Sequence, residues 1–439
     1  MGRKGKEPAK KGKEAAAQGV AETAASAALA ELRLTTTASF NPRDAQDPFE
    51  LLDMCVAVLQ DKRGPTREEA MAALGGALEA LPPLDELDSR CLTVFALCGV
   101  SIKKAAPAGG ANAKEARLAY RTVGLLALTL RAGASDLLDH AFPLLSKTVQ
   151  VQASHDDAPT LVAALDCLAV VTFAGAVVAD DVERSLKAIW DVIFPPASRS
   201  TTKPASRKTT TAQILVAAVS AWTFLVTTVP ITPSQVKTDR AAWTTTIASL
   251  AGLLEHDDRT VRMAAGEALA VCVELNLTQY VAKQDMESIV ATVRDLAAEA
   301  GGRGASKTML PEQRYLFRLI VAFLDHDERP RESVTVRAAA DGRRQVLKVS
   351  TWAKLVQLNF LRRFLGGGFL KHVQENELFK EAFHFGSEDK KKLSIAERKQ
   401  ASKKKDKSLR VKRDLSWECK NVLCLESRNP DKVLQLGWH

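Results

Sequence analysis

The sequence is poor in aromatic residues and lacks the cysteine patterns that bind metals. Aromatic residues make up 5% of the 439 residues, and tyrosine occurs three times. The seven cysteines are scattered and include no CxxC pair. This argues against a zinc site or a disulfide framework and favours a reducing compartment. Ala and Leu recur throughout, and they suit closely packed helices better than a large sheet. The composition therefore favours an all-α fold.

Motifs for catalysis are missing as well. The sequence contains no GxSxG, GxxxxGK[ST], HExxH or dinucleotide-binding fingerprint, and each of these places chemical groups at a fixed spacing. His256 and His326 stand beside acidic residues. A lone histidine next to exposed carboxylates lacks the rest of a coordination shell, so a polar turn is the better interpretation. We expect no catalytic residue, no metal, no cofactor and no small-molecule substrate.

One uncharged run raises the question of a membrane span. Residues 209–236 carry no charge, and their centre, 214–229, is mostly apolar. A spanning helix needs about 20 predominantly apolar residues, whereas this run also contains Thr, Ser, Gln and two Pro. Membrane insertion is the alternative, and a buried core helix is the preferred interpretation. We expect no membrane partner.

The positive charge is concentrated in two tails. The whole chain has a formal net charge of +9, and residues 1–14 alone hold +4. Residues 388–413 carry twelve basic side chains against four acidic ones, a net charge of +8, so the rest of the chain is slightly acidic. A block of like charge with little apolar surface is typical of an interaction arm. The basic residues of this arm, our candidate RNA- or phosphate-binding site, are Lys390, Lys391, Lys392, Arg398, Lys399, Lys403, Lys404, Lys405, Lys407, Arg410, Lys412 and Arg413.

We expect this basic arm to become ordered on an anionic partner. Ser394 and Glu397 have the spacing of a capping box, which predicts a helix that is marginal alone. Structured RNA fits, because each Lys or Arg near a phosphate releases counterions. The arm has no aromatic residue before Trp417, so shape and charge rather than base stacking should decide binding. A nuclear-localisation signal and a solvating tail are the alternatives.

Similar small-residue helical segments recur along the middle of the chain. Their anchors are spaced by 46, 47, 54 and 47 residues and are Ala70, Ala116, Ala163, Ala217 and Ala264. A period of about 40–47 residues with paired helices is typical of armadillo and HEAT repeats, in which a helix pair buries its apolar face only by stacking on neighbours. The long step coincides with an insertion at residues 195–208. Ordinary helical packing with accidental spacing is the alternative.

Changes in composition divide the chain into four parts. Residues 1–46 form a basic, Ala-rich tail that we predict to be disordered. Residues 47–330 form the helical repeat domain, residues 331–386 a small C-terminal module, and residues 387–439 the basic arm and an atypical tail. Thr66, three residues before Glu69, predicts a capping box at the start of one repeat helix.

The C-terminal module has its own local pattern. Residues 333–337 and 345–349 predict a small hairpin. Residues 352–364 predict a strongly apolar helix that ends at three glycines, 366–368, and residues 369–385 predict a second, amphipathic helix. The glycines lack the flanking strand and the Lys-Ser/Thr pair of a phosphate loop, so a helix connection is the better interpretation.

Four stretches of this sequence resemble the interferon-related developmental regulator family. Two lie in the repeat domain, LQDKRGPTREEA at residues 59–70 and RTVGLLALTL at 121–130. Two lie in the C-terminal module, QLNFL at 357–361 and GGGFLKHVQENE at 366–377. The resemblance covers about three quarters of the chain. Residues 419–439 depart from the family's usual ending.

The resemblance implies a helical-repeat protein of nucleus and cytoplasm that regulates gene expression without catalysis. Roles attached to the family include co-regulation of transcription through protein partners and association with translationally inactive ribosomes. We therefore expect an adaptor that binds a ribosome or other ribonucleoprotein through its repeat surface and its basic arm. A nuclear co-regulator that binds chromatin-associated proteins, with lysine tails serving for import, is the alternative.

Overall fold

Helices form nearly all of the computed structural model, which describes residues 40–80, 87–105, 112–130, 132–153, 157–196, 210–229, 233–299, 310–337, 344–383 and 385–387. Within these ranges, a 3-10 turn, Pro42–Asp44, precedes the first α-helix. The described residues then form six helix pairs, which are α1 (Pro48–Val58) with α2 (Gly64–Glu79), α3 (Leu87–Ala105) with α4 (Ala113–Thr129), α5 (Ala134–Gln152) with α6 (Ala158–Gly175), α7 (Ala179–Ile193) with α8 (Ala212–Val226), α10 (Arg240–Leu253) with α11 (Arg259–Glu274), and α12 (Lys283–Ala298) with α13 (Leu310–His326). A short helix, α9 (Pro233–Thr238), precedes α10.

The pairs stack into a repeat array with two layers. Each second helix packs against the first helix of its own pair and against the second helix of the next pair. We call α2, α4, α6, α8, α11 and α13 the second-helix layer. All five alanine anchors of the sequence period lie in this layer, one each in α2, α4, α6, α8 and α11. The predicted armadillo/HEAT-like helical repeat array is confirmed.

Two helices in the middle of the second-helix layer are apolar on nearly every side. Among the described residues, Ala158–Gly175 (α6) is the one helix long and apolar enough to cross a membrane by length and composition, and 67% of it is buried. The shorter Ala212–Val226 (α8) is also apolar, with Leu225 and Val226 fully buried. Such burial is that of a core helix, as expected for the uncharged run around residues 214–229.

An arginine near the start of a second helix links successive pairs. Arg67 of α2 donates from Nη1 to the backbone oxygen of Asp61 at 2.7 Å. Its Nε and Nη2 both donate to the carboxylate of Glu115 in α4, at 2.8 Å each. Arg262 of α11 repeats this arrangement, because it donates to a carbonyl six residues earlier at 2.8 Å and to Gln313 of α13 at 2.9 Å. In both places the arginine holds the loop before its own helix and also binds the second helix of the next pair.

The capping box predicted for Thr66 and Glu69 is wrong. Helix α2 begins at Gly64, and the residue before it makes no side-chain cap. Pro65 stands in the first turn, where its fixed φ suits the helix and its missing N–H needs no partner. Thr66 is therefore already inside the helix.

In the part that the structure describes, the C-terminal module has a small sheet and three helices. Strands β1 (Glu332–Arg337) and β2 (Arg344–Val349) are antiparallel, which confirms the predicted hairpin, and β3 (Phe385–Ser387) completes the sheet in the order β1-β2-β3. The helices are α14 (Trp352–Leu365), α15 (Phe369–Glu375) and α16 (Glu377–Ala382), with a 3-10 turn at Gly366–Gly368. We call α14, α15 and α16 the C-terminal helices.

The single helix predicted for residues 369–385 is wrong. The chain leaves helical geometry at Asn376, whose backbone is extended with φ −79° and ψ 122°. The Asn376 side chain caps α16 by accepting a hydrogen bond from the backbone N–H of Leu378 at 3.0 Å. Asparagine competes with the helix in this way because its amide oxygen reaches nearby backbone donors.

We predict that the Arg67–Glu115 pair is a main support of the first repeats. The side chains are 5% and 1% exposed, so Arg67→Met leaves a buried carboxylate without its partner and should lower the free energy of unfolding by about 3–5 kcal/mol. Urea unfolding followed by circular dichroism measures this loss. The double variant Arg67→Met/Glu115→Leu should recover most of it, because no charge is left buried.

The matched control is the surface pair between Lys114 and Glu68, whose lysine is 71% exposed. Lys114→Met should cost less than about 1 kcal/mol. Equal losses from Arg67→Met and Lys114→Met would contradict this prediction.

Candidate functional site

The twelve basic residues predicted to bind RNA or phosphate, Lys390 to Arg413, lie outside the described residues, and so do residues 1–39 of the tail predicted to be disordered. Both stay predictions. Within the described ranges, no group of three or more His, Cys, Asp or Glu side chains could hold a metal ion. His256 Nδ1 accepts a hydrogen bond from the backbone N–H of Asp258 at 3.0 Å, which fits the polar-turn interpretation.

Helix α14 lies on the second-helix layer. It packs against α8 and α11, and the ring of Phe360 stacks on Phe224 of α8 with centroids 4.2 Å apart and an interplanar angle of 6°. Both rings are buried. The apolar helix α8 needs cover on a second side, and α14 supplies part of it. The C-terminal module is thus packed onto the repeat array.

Polar contacts fix both ends of α14. At its N-terminus, the Glu274 carboxylate accepts hydrogen bonds from the backbone N–H groups of Trp352 and Ala353 at 3.0 and 2.8 Å. At its C-terminus, Arg121 of α4 donates from Nη1 to the backbone oxygen of Phe364 at 2.7 Å. An acid at the first turn and a cation at the last are the favourable arrangement with the helix dipole.

A paired set of charges joins the middle of the array to the end of α14. Arg363 donates from Nη1 and Nη2 to the two oxygens of Asp166 in α6, at 2.6 and 2.8 Å. This bidentate pairing fixes the orientation of the two side chains as well as their distance. The guanidinium also lies 4.9 Å from the centre of the Phe360 ring. Residues separated by 197 positions in sequence are therefore held in one geometry.

Helices α15 and α16 are attached to the ends of α2 and α4. His372 is fully buried, and its Nε2 lies 3.3 Å from the backbone oxygen of Leu78. A carbonyl only accepts, so Nε2 carries the proton and Nδ1 accepts from the Asn376 amide at 3.1 Å. The same amide group donates to the backbone oxygen of Leu128 at 2.6 Å. Burial lowers the pKa of His372 to about 4, against the opposing effects of the Leu78 carbonyl and the Glu79 charge.

Two glycines allow the C-terminal helices to approach the array. A Cβ on Gly124 of α4 would lie 2.5 Å from Cζ of Phe364, and a Cβ on Gly368 would lie 2.5 Å from the backbone oxygen of Glu79. Neither distance is possible for a real side chain, so only glycine permits these contacts. Gly124 and Gly368 each lie in a stretch that carries the family resemblance.

A groove of about 1210 Å³ opens beside α14. Its lining includes residues of α11, α13 and α14 and the connection from α13 to β1, among them Glu267, Tyr315, Asp327, Glu328, Arg329, Arg331, Glu332 and Asn359. Glu267 of α11 is partly buried, and burial raises its pKa to about 7. A second, smaller cavity places the same residue beside Ser220, Thr223 and Arg363. Sequence reasoning assigned Glu267 no role, because an acid inside a repeat helix usually faces solvent.

The model of the family described as Interferon-related developmental regulator (IFRD) matches residues 22–325. This chain belongs to that family. Mouse (Mus musculus) Interferon-related developmental regulator 2 is 29% identical to it over 344 residues, which cover 77% of this chain and 73% of the relative. Interferon-related developmental regulator 1 of pig (Sus scrofa) is 23% identical over 333 residues, covering 74% and 69%. The human (Homo sapiens) protein of the same name is 23% identical over 331 residues, with the same coverage.

Two solved structures of engineered proteins show a slight likeness to the chain. One is 14% identical, covers 62% of this chain and 96% of its own, and has a TM-score of 0.36. The other is 13% identical, covers 81% and 97%, and has a TM-score of 0.34. Such values add nothing to the fold established by the packing of the helix pairs.

The stretches of family resemblance contain residues that link successive repeats and that attach the C-terminal helices to the array. Arg67, in the first stretch, links α2 to α4. Arg121 and Gly124, in the second, receive the end of α14. His372 and Asn376, in the last, bind the ends of α2 and α4. Residues of these stretches therefore help to join the array to the C-terminal helices.

We predict that Gly124→Ala loosens α14 from the array. The added methyl group meets the Phe364 ring, and overpacking of this kind costs about 1–3 kcal/mol. Urea unfolding should show the loss, and hydrogen exchange of α14 amides should become faster. Gly76→Ala in α2 is the matched control, since a Cβ there has no neighbour within 4 Å. It should raise stability by about 0.5–1 kcal/mol. Unchanged exchange in Gly124→Ala would show that α14 is held by other contacts.

We also predict opposite pH dependences for two buried groups. Because the pKa of His372 falls from 6.5 to about 4 on folding, the unfolded state binds more protons between these values, and stability is lost as pH falls. The pKa of Glu267 rises from 4.5 to about 7, so the free energy of unfolding falls as pH rises through that range and the buried carboxyl ionises. Each slope is at most about 1.4 kcal/mol per pH unit, and the two oppose each other between pH 4.5 and 6.5.

Single substitutions separate the two effects. Relative to the wild type, Glu267→Gln should gain stability as pH rises from 4.5 to 7, and His372→Gln should lose stability as pH rises from 4 to 6.5. Urea unfolding at a series of pH values measures both differences. If the free energy of unfolding of a variant changes with pH in parallel with that of the wild type, the substituted group does not contribute to the pH dependence.

Proposed function

We propose that this protein is a non-catalytic adaptor that joins a protein partner to a ribosome or another ribonucleoprotein. In this proposal the repeat array binds protein, and the basic arm, residues 388–413, binds RNA phosphates. The observation that carries it is the division of charge, because the arm holds a net +8 of the chain's +9 while residues 1–14 hold another +4. The part between the tails is therefore slightly acidic and has no general attraction for nucleic acid.

The composition of the arm favours contacts to phosphate over contacts to bases. Twelve Lys and Arg residues stand within 26 positions without an aromatic side chain. Lys and Arg neutralise phosphates and release counterions, whereas reading of unpaired bases uses aromatic stacking. If about six contacts form, the logarithm of affinity should fall with the logarithm of salt concentration with a slope of roughly −5.

The array supports the protein-binding half of the proposal. Stacked helix pairs expose long surfaces that contact partners through neighbouring repeats. Here the C-terminal helices cover part of the second-helix layer, so a partner would use surfaces that they leave open. We place the protein in nucleus and cytoplasm, as expected of an adaptor for ribonucleoproteins. A nuclear co-regulator bound to chromatin-associated proteins is the competing function.

We predict that the intact protein sediments with ribosomal particles in a sucrose gradient of cell extract at low salt. Deletion of residues 388–413 should abolish this co-migration, because the phosphate contacts are lost. Raised salt should weaken it in the intact protein, as counterion release requires. Immunoblotting of the gradient fractions gives the distribution.

A matched pair of charge variants tests whether position matters. One replaces six arm residues by Gln, namely Lys403, Lys404, Lys405, Lys407, Arg410 and Lys412. The other replaces the six basic residues of positions 1–14 by Gln. The arm variant should be lost from the ribosomal fractions, whereas the variant of positions 1–14 should remain in them. An intact protein that remains at the top of the gradient at low salt would instead favour the nuclear co-regulator.

A further inference from the structure

The groove beside α14 contains an acidic side chain without a counter-charge. Among the residues that the structure describes, Glu267 accepts no hydrogen bond and forms no ion pair, although it is partly buried. A partly buried carboxylate without a counter-charge is unfavourable for the fold, and such a group in a cleft marks a candidate binding position. Asn359 of α14 lines the same groove.

The arginines around the groove do not neutralise Glu267. Arg363 is paired with Asp166, and Arg362 is paired with Glu332 at 2.8 Å. Arg329 lies 3.4 Å from Asp327 and 3.8 Å from Glu274. Arg331 is exposed at the rim, beyond ion-pair distance of Glu267 in the described chain. No basic side chain of the described ranges therefore neutralises Glu267.

The rest of the groove suits an extended, positively charged segment. Its lining carries the acids Glu267, Asp327, Glu328 and Glu332 against the bases Arg329 and Arg331, so its formal charge is negative. Tyr315 of α13 is 66% exposed at this surface. A tyrosine ring in this position offers apolar contact to the stem of a long side chain and its face to a cation.

We infer that this groove binds a segment of a partner protein that inserts an arginine or lysine side chain against Glu267. The inserted cation would pair with the carboxylate and lie beside Tyr315, while the acidic rim attracts the flanking residues. The inference rests on the proposed adaptor function, because it identifies the chemistry of the protein partner that the array would bind. It is independent of the basic arm, which serves RNA in that proposal.

The test begins with selection of displayed random 12-residue peptides on the full chain. The selected peptides should share an Arg or Lys at one fixed position. Fluorescence anisotropy of a labelled selected peptide should show binding that is weakened about tenfold or more by Glu267→Gln, as for loss of a charge-assisted hydrogen bond. Replacing the peptide's basic residue by Ala should weaken binding to the wild type and add little in Glu267→Gln.

Glu312→Gln is the matched control, since Glu312 is an exposed acid on α13 that does not line the groove. It should change the affinity less than about twofold, because exposed charges contribute little. In the wild type, peptide affinity should also fall as pH falls from 8 to 6, because the Glu267 carboxyl becomes protonated. The affinity of Glu267→Gln should lack this change with pH. On α8 and α14, the side chains that line the same cavity as Glu267 include Thr223, Asn359 and the cation Arg363.

Three results would overturn the inference. The first is that the selected peptides share no basic residue. The second is that Glu267→Gln binds them as tightly as the wild type does. The third is tighter binding to a chain ending at residue 387, which would identify the protein's own basic arm as the occupant. Glu267→Gln should still sediment with ribosomal particles, so failure of the groove and failure of the adaptor function are distinguishable.

Discussion

The structure depends on covering the second-helix layer on both sides. Helices α6 and α8 are too apolar to leave one face in water, and the first helices of the pairs cover them from one direction only. Helix α14 packs on the other side, where Phe360 stacks on Phe224. Burial of one such ring contributes about 1.5–3 kcal/mol. The hydrophobic effect therefore brings the end of the chain back onto its middle.

Apolar burial alone would not fix where the C-terminal helices lie, because it has no direction. Their position is set by carbonyl groups at helix ends, which have no partner within their own helix. His372 binds the carbonyl of Leu78 at the end of α2, and Asn376 binds that of Leu128 at the end of α4. Gln357 donates to the carbonyl of Thr227, just after α8, at 3.2 Å. Three attachments of this kind, to the ends of α2, α4 and α8, define a single register.

Much of the array could be predicted from sequence because a stacked repeat is a local pattern. The small residues that let helices approach, such as Ala70 and Ala264, recur at the period of the fold, and both are buried in second helices. The last pair lacked such an anchor, since Gln313 of α13 takes the place of Glu115 of α4 and is followed by Arg314 where α4 has Ala116. Its link to Arg262 is visible only when the two helices lie side by side.

The attachment of the C-terminal helices could not be predicted in the same way. Arg363 and Asp166 are 197 residues apart, and neither stands in a recurring pattern. The four family stretches gave a different kind of signal, because they identified positions without saying what those positions do. The same holds for Glu267, whose neighbours Asn359 and Tyr315 come from helices far apart in sequence. Burial raises the pKa of Glu267 only in the folded chain, so the sequence alone does not show it.

The repeat array and the attachment of the C-terminal helices leave different groups free to bind a partner. The residues of the family stretches are largely used in joining the array to α14, α15 and α16, through groups such as Arg121 and His372. Groups engaged in this way are not available to a partner. The groove around Glu267 differs, because its carboxylate gains nothing from the contacts of the described chain and is destabilised by burial. A group that weakens the fold and sits in an open groove is better explained by binding than by stability.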